Sequence, residues 1–173
     1  VYGLAVSPHH PSSIERLYAM KRRPRSQPLP VMVASEDDLT SMGVEVTDTA
    51  KRLLTSKLVP GALTLAMGFT DSPPSWLAGR KEVAIRIPND ERLLAVLRRT
   101  GPLFVTSANA HGISTPETVN DVLPQLDGMP DLVIDGGVLG TVASTLVNCH
   151  VSPAKIEREG FISKADLEEL GII

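Results

Sequence analysis

The chain has 173 residues, 42% of them hydrophobic, and a formal net charge of −3, which together predict one globular domain with an ordinary core. Its single cysteine, Cys149, excludes a disulfide within the chain, and its acidic total argues against coating of a long nucleic acid, which depends on many Lys and Arg. No apolar run approaches the ~18 residues of a membrane helix, so we expect a cytoplasmic protein without membrane contact.

A capping-box spacing between Ser12 and Glu15 predicts a first helix over about residues 13–21. Four cations follow at the end of this helix and in the next loop: Lys21, Arg22, Arg23 and Arg25. The prolines of "PRSQPLP" exclude a helix there, and "VMVA" is predicted to be a strand. A solvated turn is the ordinary explanation of such a basic run, and a small anionic ligand is the functional one.

Helices and strands alternate through the middle of the chain. The predicted elements are, in order, two capped helices, two strands, a helix and a strand: "SEDDLTSM", "TDTAKRLLTSKL", "PGALTLAM", "EVAIRIP", "NDERLLAVLRRTG" and "PLFVT". In "EVAIRIP" the alternation places Val83 and Ile85 on one side and leaves Arg86 with only an alanine on the other. The helix over about 91–100 is predicted to end at Gly101.

The loop "SANAHGISTPET" places Ser107 and Asn109 at the end of a strand, where α/β sheets tend to bind ligands. Ser and Asn also bond to nearby backbone in ordinary turns, so both explanations stay open. Thr115 is predicted to cap a helix that runs to about residue 126, with Pro116 at its first position.

Strand and helix alternate again at the end of the chain, which predicts an α/β layer structure around one sheet. "DLVIDGG" and "STLVNCHV" are predicted strands, and "SKADLEELG" is a capped helix closed by Gly171. Ser144 and Thr145 precede the second of these strands. Their ordinary explanation is strand initiation, and their functional one is ligand contact.

Other common ligand motifs are absent from the sequence. It has no G-x-x-x-x-G-K-[ST] loop, so a bound nucleotide would not be held by a P-loop. "GGVLG" lacks the G-x-G-x-x-G spacing and is interpreted as a turn. The histidines have no H-x-x-x-H zinc spacing, and neither Ser107 nor Ser144 lies in a G-x-S-x-G elbow, so a hydrolase triad is weakly supported.

Seven stretches, in their order along the chain, resemble the Sua5/YrdC/YciO family: "VYGLAV", "KRRPRSQPLPVMV", "PGALTLAM", "VAIRIP", "PLFVTSANAHGISTPET", "DLVIDGG" and "ASTLVNC". The family motif K-x-R is matched by Lys21 and Arg23, and S-x-N is matched by Ser107 and Asn109. Each motif is weak alone, but seven stretches in the family's order make coincidence improbable.

The resemblance implies a YrdC-like α/β fold, with an open, twisted, mixed sheet, surrounding helices and a concave basic cleft. It implies an enzyme that converts L-threonine, bicarbonate and ATP into threonylcarbamoyl-AMP and pyrophosphate, with Mg²⁺ neutralising the pyrophosphate. A tRNA threonylcarbamoyl transferase complex would then use the product, and contact with tRNA or double-stranded RNA is a further expectation.

The resemblance also implies roles for particular residues. Lys21 and Arg23 would bind the threonine carboxylate and the phosphates, while Ser107 and Asn109 would bind the nucleotide or the carbamate. Tyr2 is expected to contact threonine. Contacts with ATP are expected from four further residues: Arg86, Ser144, Thr145 and Arg158. The attraction between a cation and an anion about 4 Å apart near a surface is around 4 kcal/mol before desolvation. Cations would therefore offset the repulsion between these anionic substrates.

The sequence departs from the family pattern in a few places. Family members have a strand and a P-T-(D/E)-T stretch before V-Y-G-L, whereas this sequence starts at Val1. We therefore expect residues 1–173 to be a single YrdC-like domain without that strand and without one threonine-binding residue. Val59 and Glu159 replace residue types common in the family, and we expect both changes to be tolerated.

Two alternative functions stay open. One is a YciO-like paralogue that holds nucleotide or structured RNA without making the adenylate. The other is a detached module of a carbamoyl-transferring maturation protein, which would need flanking domains.

Overall fold

The computed structural model describes residues 1–70 and 73–173, in which strands alternate with helices. The strands are β1 (Gly3–Val6), β2 (Val31–Met32), β3 (Leu63–Met67), β4 (Val83–Arg86), β5 (Leu103–Ser107), β6 (Thr145–Asn148) and β7 (Lys155–Arg158). The α-helices are α1 (Pro11–Lys21), α2 (Asp37–Ser41), α3 (Asp48–Leu54), α4 (Glu91–Thr100), α5 (Val119–Val122) and α6 (Lys164–Glu169). Parallel and antiparallel pairs occur among these strands, which confirms the predicted α/β class with a mixed sheet. The concave basic cleft stays a prediction.

The chain forms two compact units, and the first contains residues 1–29 and 104–143. In this unit β1 runs antiparallel to β5, with Gly3 opposite Ser107. The helix α1 packs against β1 and buries three apolar side chains: Leu17, Tyr18 and Met20. The C-terminal end of α1 and the C-terminal end of β5 therefore belong to the same unit.

The second unit contains residues 30–103 and 144–173, and its strand order is β2-β4-β3-β6-β7. β2 is parallel to β4 and β3 to β6, whereas the β4–β3 and β6–β7 pairs are antiparallel. Every residue of β3 is buried, while β4 alternates between buried and partly exposed residues. The alternation in β4 confirms the prediction for "EVAIRIP". No helix among residues 1–70 and 73–173 is long and apolar enough to cross a membrane.

Several helix ends follow the predicted chemistry. The hydroxyl of Thr47 accepts from the N–H of Ala50 at the start of α3. Ser163 and Asp166 form a reciprocal capping box at the start of α6. Gly101, with φ 74°, ends α4. These devices involve residues close in sequence, so local patterns were sufficient to predict them.

The predicted start of the first helix is wrong. α1 begins at Pro11, and Ser12 lies inside its first turn, while the N-cap position is taken by His10. Proline is favoured at the first helical position because it has no N–H to leave unpaired and its φ is already helical. Glu15, expected in the capping box, forms an ion pair with Arg25 instead.

The predicted helix after "SANAHGIS" is shorter and starts later than expected. Thr118, not Thr115, caps α5, and its hydroxyl accepts from the N–H of Asp121 at 3.3 Å. A 3₁₀ turn at Leu123–Gln125 follows α5 directly. Thr115 is unavailable as a cap because its side chain is buried against the loop that follows β5.

The predicted strand at "DLVIDGG" is also wrong. The segment 131–137 contains no strand, and Leu132 and Ile134 are 76% and 68% exposed. An apolar stretch becomes a strand only when a neighbouring strand takes up its backbone hydrogen bonds. Within the described part of its unit, this segment pairs with no strand. Its turn is held by side-chain contacts instead.

Candidate functional site

Lys21 is the last residue of α1, and the chain reverses immediately after it. Arg22 has φ 53° and ψ 37°, a left-handed conformation that costs a non-glycine residue roughly 1–2 kcal/mol. The carbonyl of Lys21 accepts a hydrogen bond from the N–H of His111 at 2.9 Å. The end of the helix is therefore hydrogen-bonded to the loop after β5. The surrounding structure maintains this chain reversal despite the strained conformation of Arg22.

The ammonium of Lys21 is buried against that loop. The residue is 1% exposed, and its Nζ donates to the Ser107 carbonyl at 2.5 Å, the Asn109 carbonyl at 2.7 Å and Asn109 Oδ1 at 3.1 Å. These bonds use all three donors of an ammonium. Burial, and secondarily the charge of Arg23, lowers the pKa of Lys21 to about 8. The structure thus brings Lys21 together with both residues of the S-x-N motif.

The side-chain amide of Asn109 is fully engaged within the protein. Its Oδ1 accepts from Lys21 and from the hydroxyl of Thr115 at 3.3 Å. Its Nδ2 donates to the carbonyls of Ala110 at 2.9 Å and Ile113 at 2.5 Å. The amide therefore holds the loop in shape and fixes the ammonium of Lys21 from the opposite side.

The other cations of the basic cluster bond elsewhere in the same unit. Arg23 donates to the carbonyls of Gln27 at 3.0 Å and Pro28 at 3.1 Å, which closes its own loop. Arg22 pairs with Asp127 at 3.3 Å, and Arg25 pairs with a glutamate and lies over an aromatic ring. Exposed pairs of this kind contribute only about 0–1 kcal/mol. Lys21 is the buried member of the cluster.

Tyr2 holds a turn in the first unit. Its hydroxyl accepts from the N–H of Gly136 at 3.0 Å and lies 2.6 Å from the Gly137 carbonyl and 3.1 Å from Asp135 Oδ1. A phenol has one hydrogen to donate, so the last two acceptors compete for it. The expected contact of Tyr2 with threonine stays a prediction.

Two arginines end strands of the second unit's sheet. Arg86, the last residue of β4, donates through Nε to the Gly61 carbonyl at 2.7 Å. Arg158, the last residue of β7, donates to the Ser144 carbonyl through Nη2 at 2.8 Å and Nε at 3.2 Å. In the described part of the chain neither pairs with a carboxylate. Burial, and secondarily the charge of Arg158, lowers the pKa of Arg86. The two guanidinium groups are therefore suited to binding an anion, which would offset both costs.

The hydroxyls of Ser144 and Thr145 have different surroundings. Thr145 is fully buried; its hydroxyl donates to the Ile162 carbonyl at 2.5 Å and accepts from the N–H groups of Gly160 and Ile162. It holds the turn after β7. Ser144 Oγ instead lies 2.7 Å from Thr64 Oγ1 and beside the second arginine. The predicted contacts of both residues with ATP stay predictions.

Two buried threonines complete these clusters and were not predicted as site residues. Thr115 contacts Asn109 in the first unit, and Thr64 contacts Ser144 in the second. The sequence signal at Thr115 was assigned to a helix cap. Thr64 is the one polar residue of β3, and a polar side chain in a fully buried strand requires a hydrogen-bond partner, which is a signal that could have identified it.

Comparison with known proteins identifies relatives over nearly the full chain. The family model Sua5_yciO_yrdC, described as telomere recombination, matches residues 1–160. The threonylcarbamoyl-AMP synthase of Bacillus subtilis is 33% identical over 172 residues, 97% of this chain and 49% of that protein. The protein of the same name from Schizosaccharomyces pombe is 31% identical over 196 residues, 99% of this chain and 48% of that protein. The chain spans about half the length of these curated relatives.

Solved structures have the same fold. P. abyssi Sua5 complexed with L-threonine matches with a TM-score of 0.87 and 28% identity, covering 98% of this chain and 51% of that one. E. coli YciO matches with a TM-score of 0.81 and 24% identity, covering 93% and 79%, which establishes the fold alone. The YrdC-like fold implied by the sequence is confirmed.

Proposed function

This chain belongs to the Sua5/YciO/YrdC family, and we propose that it acts as a threonylcarbamoyl-AMP synthase, the name of its curated relatives. The reaction joins L-threonine, bicarbonate and ATP into threonylcarbamoyl-AMP and pyrophosphate. The observation that carries the proposal is the buried ammonium of Lys21 on the 107–109 loop, because it unites the K-x-R and S-x-N motifs. The proposal covers residues 1–173 as one YrdC-like domain.

The chemistry of this reaction demands placement and charge more than a reactive side chain. Bicarbonate and the amine of threonine combine, with loss of water, into a carbamate. A carbamate oxygen then attacks the α-phosphorus of ATP, and the bond to the departing pyrophosphate oxygen breaks. Because the substrate supplies the nucleophile, the protein has to hold three mutually repelling anionic groups together.

In the first unit, we assign different tasks to the two cations of the K-x-R motif. The guanidinium of Arg23 binds an oxyanion directly, since its five N–H donors allow a bidentate contact beside the bonds to the Gln27 and Pro28 carbonyls. Lys21 has its donors on the loop, so it acts as a fixed positive charge and positions Asn109. The hydroxyl of Ser107 makes no hydrogen bond to residues 1–70 or 73–173, and we assign it to the nucleotide or the carbamate. Tyr2 is assigned to the threonine site.

In the second unit, the cations and one hydroxyl bind ATP. Arg86 and Arg158 contact the phosphates, Ser144 donates beside them, and Thr145 holds the adjacent turn in place. Mg²⁺ enters with ATP, since it is commonly held through substrate phosphates. Within the described ranges, no group of three or more His, Cys, Asp or Glu side chains is placed to hold an ion.

The same proposal extends to partners and location. A tRNA threonylcarbamoyl transferase complex would take up the adenylate, because the mixed anhydride is reactive and short-lived in water. Contact of this chain with tRNA or double-stranded RNA and a cytoplasmic location are part of the proposal.

Pyrophosphate release tests the assignment. The protein is incubated with ATP, L-threonine and bicarbonate, and with each omitted in turn, and the adenylate is identified by mass spectrometry. We expect release only with all three substrates, and a loss on the order of 10²-fold in Arg23→Ala. Thr55→Val, which removes a hydroxyl bonded only within and just beyond α3, is the control with unchanged rate. Release that does not require threonine would contradict the proposal.

The YciO-like alternative is distinguished by the same experiment. ATP binding without pyrophosphate release, together with salt-dependent binding of tRNA, would select it. The likeness to YciO is one of fold.

A further inference from the structure

Thr64 lies in the middle of a row of side chains that crosses the second unit's sheet. In β3 and β6, Thr64 is opposite Leu146, and Leu146 is opposite Arg158 on β7. Ser144 precedes Leu146 by two residues, so its side chain lies on the same face. The contact of 2.7 Å between the Thr64 and Ser144 hydroxyls confirms this placement.

The row continues on the other side of β3. The antiparallel register pairs Leu65 with Ile85, which brings Thr64 next to Arg86 on the same face. The residues beside them on this face of β3 and β4 are Ala66 and Ala84, which are paired with each other. The face thus offers two guanidinium groups and two hydroxyls, with the two alanines and Leu146 beside them.

The hydrogen bonds around Ser144 limit how its hydroxyl can be oriented. Arg158 Nη2, 3.3 Å away, can only donate, so Ser144 Oγ is an acceptor in that contact. Thr64 is 5% exposed, and its hydroxyl makes no other hydrogen bond in the described chain. If Ser144 donated to Thr64, the Thr64 hydrogen would be buried without an acceptor, which costs about 1–3 kcal/mol. Donation from Thr64 to Ser144 instead leaves the hydrogen without a protein acceptor on Ser144, which at 9% exposed is the more accessible of the two.

We propose that Thr64 is a positioning residue: its hydroxyl donates to Ser144 Oγ, which leaves the Ser144 hydrogen directed at an oxyanion held between Arg86 and Arg158. Ser144 then accepts from Thr64 and from Arg158, so its own O–H is the group left to donate. Thr64 touches no ligand itself. It acts by fixing the rotation of a neighbouring hydroxyl.

This inference rests on the proposed function for the identity of the oxyanion. Among the proposed substrates, a phosphate of ATP and the carboxylate of threonine both have the required chemistry. Calorimetric titration of the full chain with ATP, pyrophosphate and L-threonine distinguishes them, because weakened binding of the first two indicates phosphate and weakened binding of threonine alone indicates carboxylate.

Three variants isolate the role of the hydroxyl. Thr64→Val keeps the branched shape and removes the donor, Thr64→Ser keeps the donor, and Ser144→Ala removes the group that Thr64 is proposed to orient. We expect Thr64→Val to weaken binding of the oxyanion about fivefold and Thr64→Ser to stay within about twofold of wild type. In the Ser144→Ala background, Thr64→Val should produce no further weakening.

The double-variant comparison separates positioning from a structural role. A purely structural effect of Thr64→Val would persist in the Ser144→Ala background and would overturn the proposal. Equal affinity of Thr64→Val and wild type, or failure of wild type to bind any of the three probes, would also overturn it. If Thr64→Val does not fold, Thr64→Cys gives the same comparison with a weak thiol donor. Wild-type binding without pyrophosphate release would contradict the proposed function and leave this inference intact.

Discussion

Replacing Lys21 with methionine removes the buried ammonium while keeping an unbranched side chain of similar length. Three acceptors lose their donor in this variant: the Ser107 carbonyl, the Asn109 carbonyl and Asn109 Oδ1. Each buried group left without a partner costs about 1–3 kcal/mol. The variant no longer buries a cation, which offsets part of this destabilisation because desolvation of an ion costs several kcal/mol. We expect a net loss of about 2 kcal/mol near neutral pH, or a Tm lower by about 4–8 °C.

The pH dependence of this loss gives a sharper test, and its sign follows from the lowered pKa. Lys21 has a pKa of about 8 in the folded protein and an ordinary value of 10.5. Between these values the unfolded chain binds more protons than the folded one, so the stability of the wild type rises with pH. Lys21→Met lacks this group. The difference in unfolding free energy between the two proteins should therefore widen by about 1 kcal/mol from about pH 7 to about pH 9.5, after discounting for solvent screening.

Urea denaturation of both proteins at the two pH values measures the difference directly. Lys57→Met, at an exposed lysine that pairs weakly with Glu169, is the matched control and should show no widening. A difference that stays constant or narrows with pH would refute the reasoning. So would a Lys21→Met protein as stable as the wild type near neutral pH.

Three further outcomes are expected. The rate of pyrophosphate release should decline as pH rises through about 8, because Lys21 loses its charge. A rate that stays unchanged up to about pH 9.5 would contradict this role. Pyrophosphate at about 100 times its Kd should stabilise the protein by about 2.7 kcal/mol, which raises Tm by several degrees. Arg86→Met should lose that shift in a thermal melt, and retention of the shift would place the anion elsewhere. Ser163→Ala should lower the free energy of unfolding, measured in urea, by about 1 kcal/mol through loss of the capping box, with no change in activity. Unchanged stability would contradict this.

Local sequence patterns were sufficient for much of the fold. The helix from Glu91 to Thr100, its glycine stop, the Ser163 cap and the alternation of β4 all involve residues within a few positions of each other. The family motifs likewise identified the K-x-R and S-x-N positions, which the structure brings within hydrogen-bond distance of each other. The prediction at "DLVIDGG" was wrong because a strand needs a pairing partner from elsewhere in the chain. The errors at Thr115 and Ser12 were local, since Asn109 binds the Thr115 hydroxyl from six positions away and Pro11 takes the helix start.

The amino-acid order alone determined which chemical groups this protein has and where most of its helices and strands lie, because capping, side-chain periodicity and glycine or proline preferences act over one or two turns. Only the tertiary structure decided which of those groups are already bonded inside the protein. Lys21 spends its three donors on a loop more than 80 positions away, and the strand order β4-β3-β6-β7 aligns Thr64 with both arginines. Those contacts depend on strand register between distant segments, which no short-range pattern encodes.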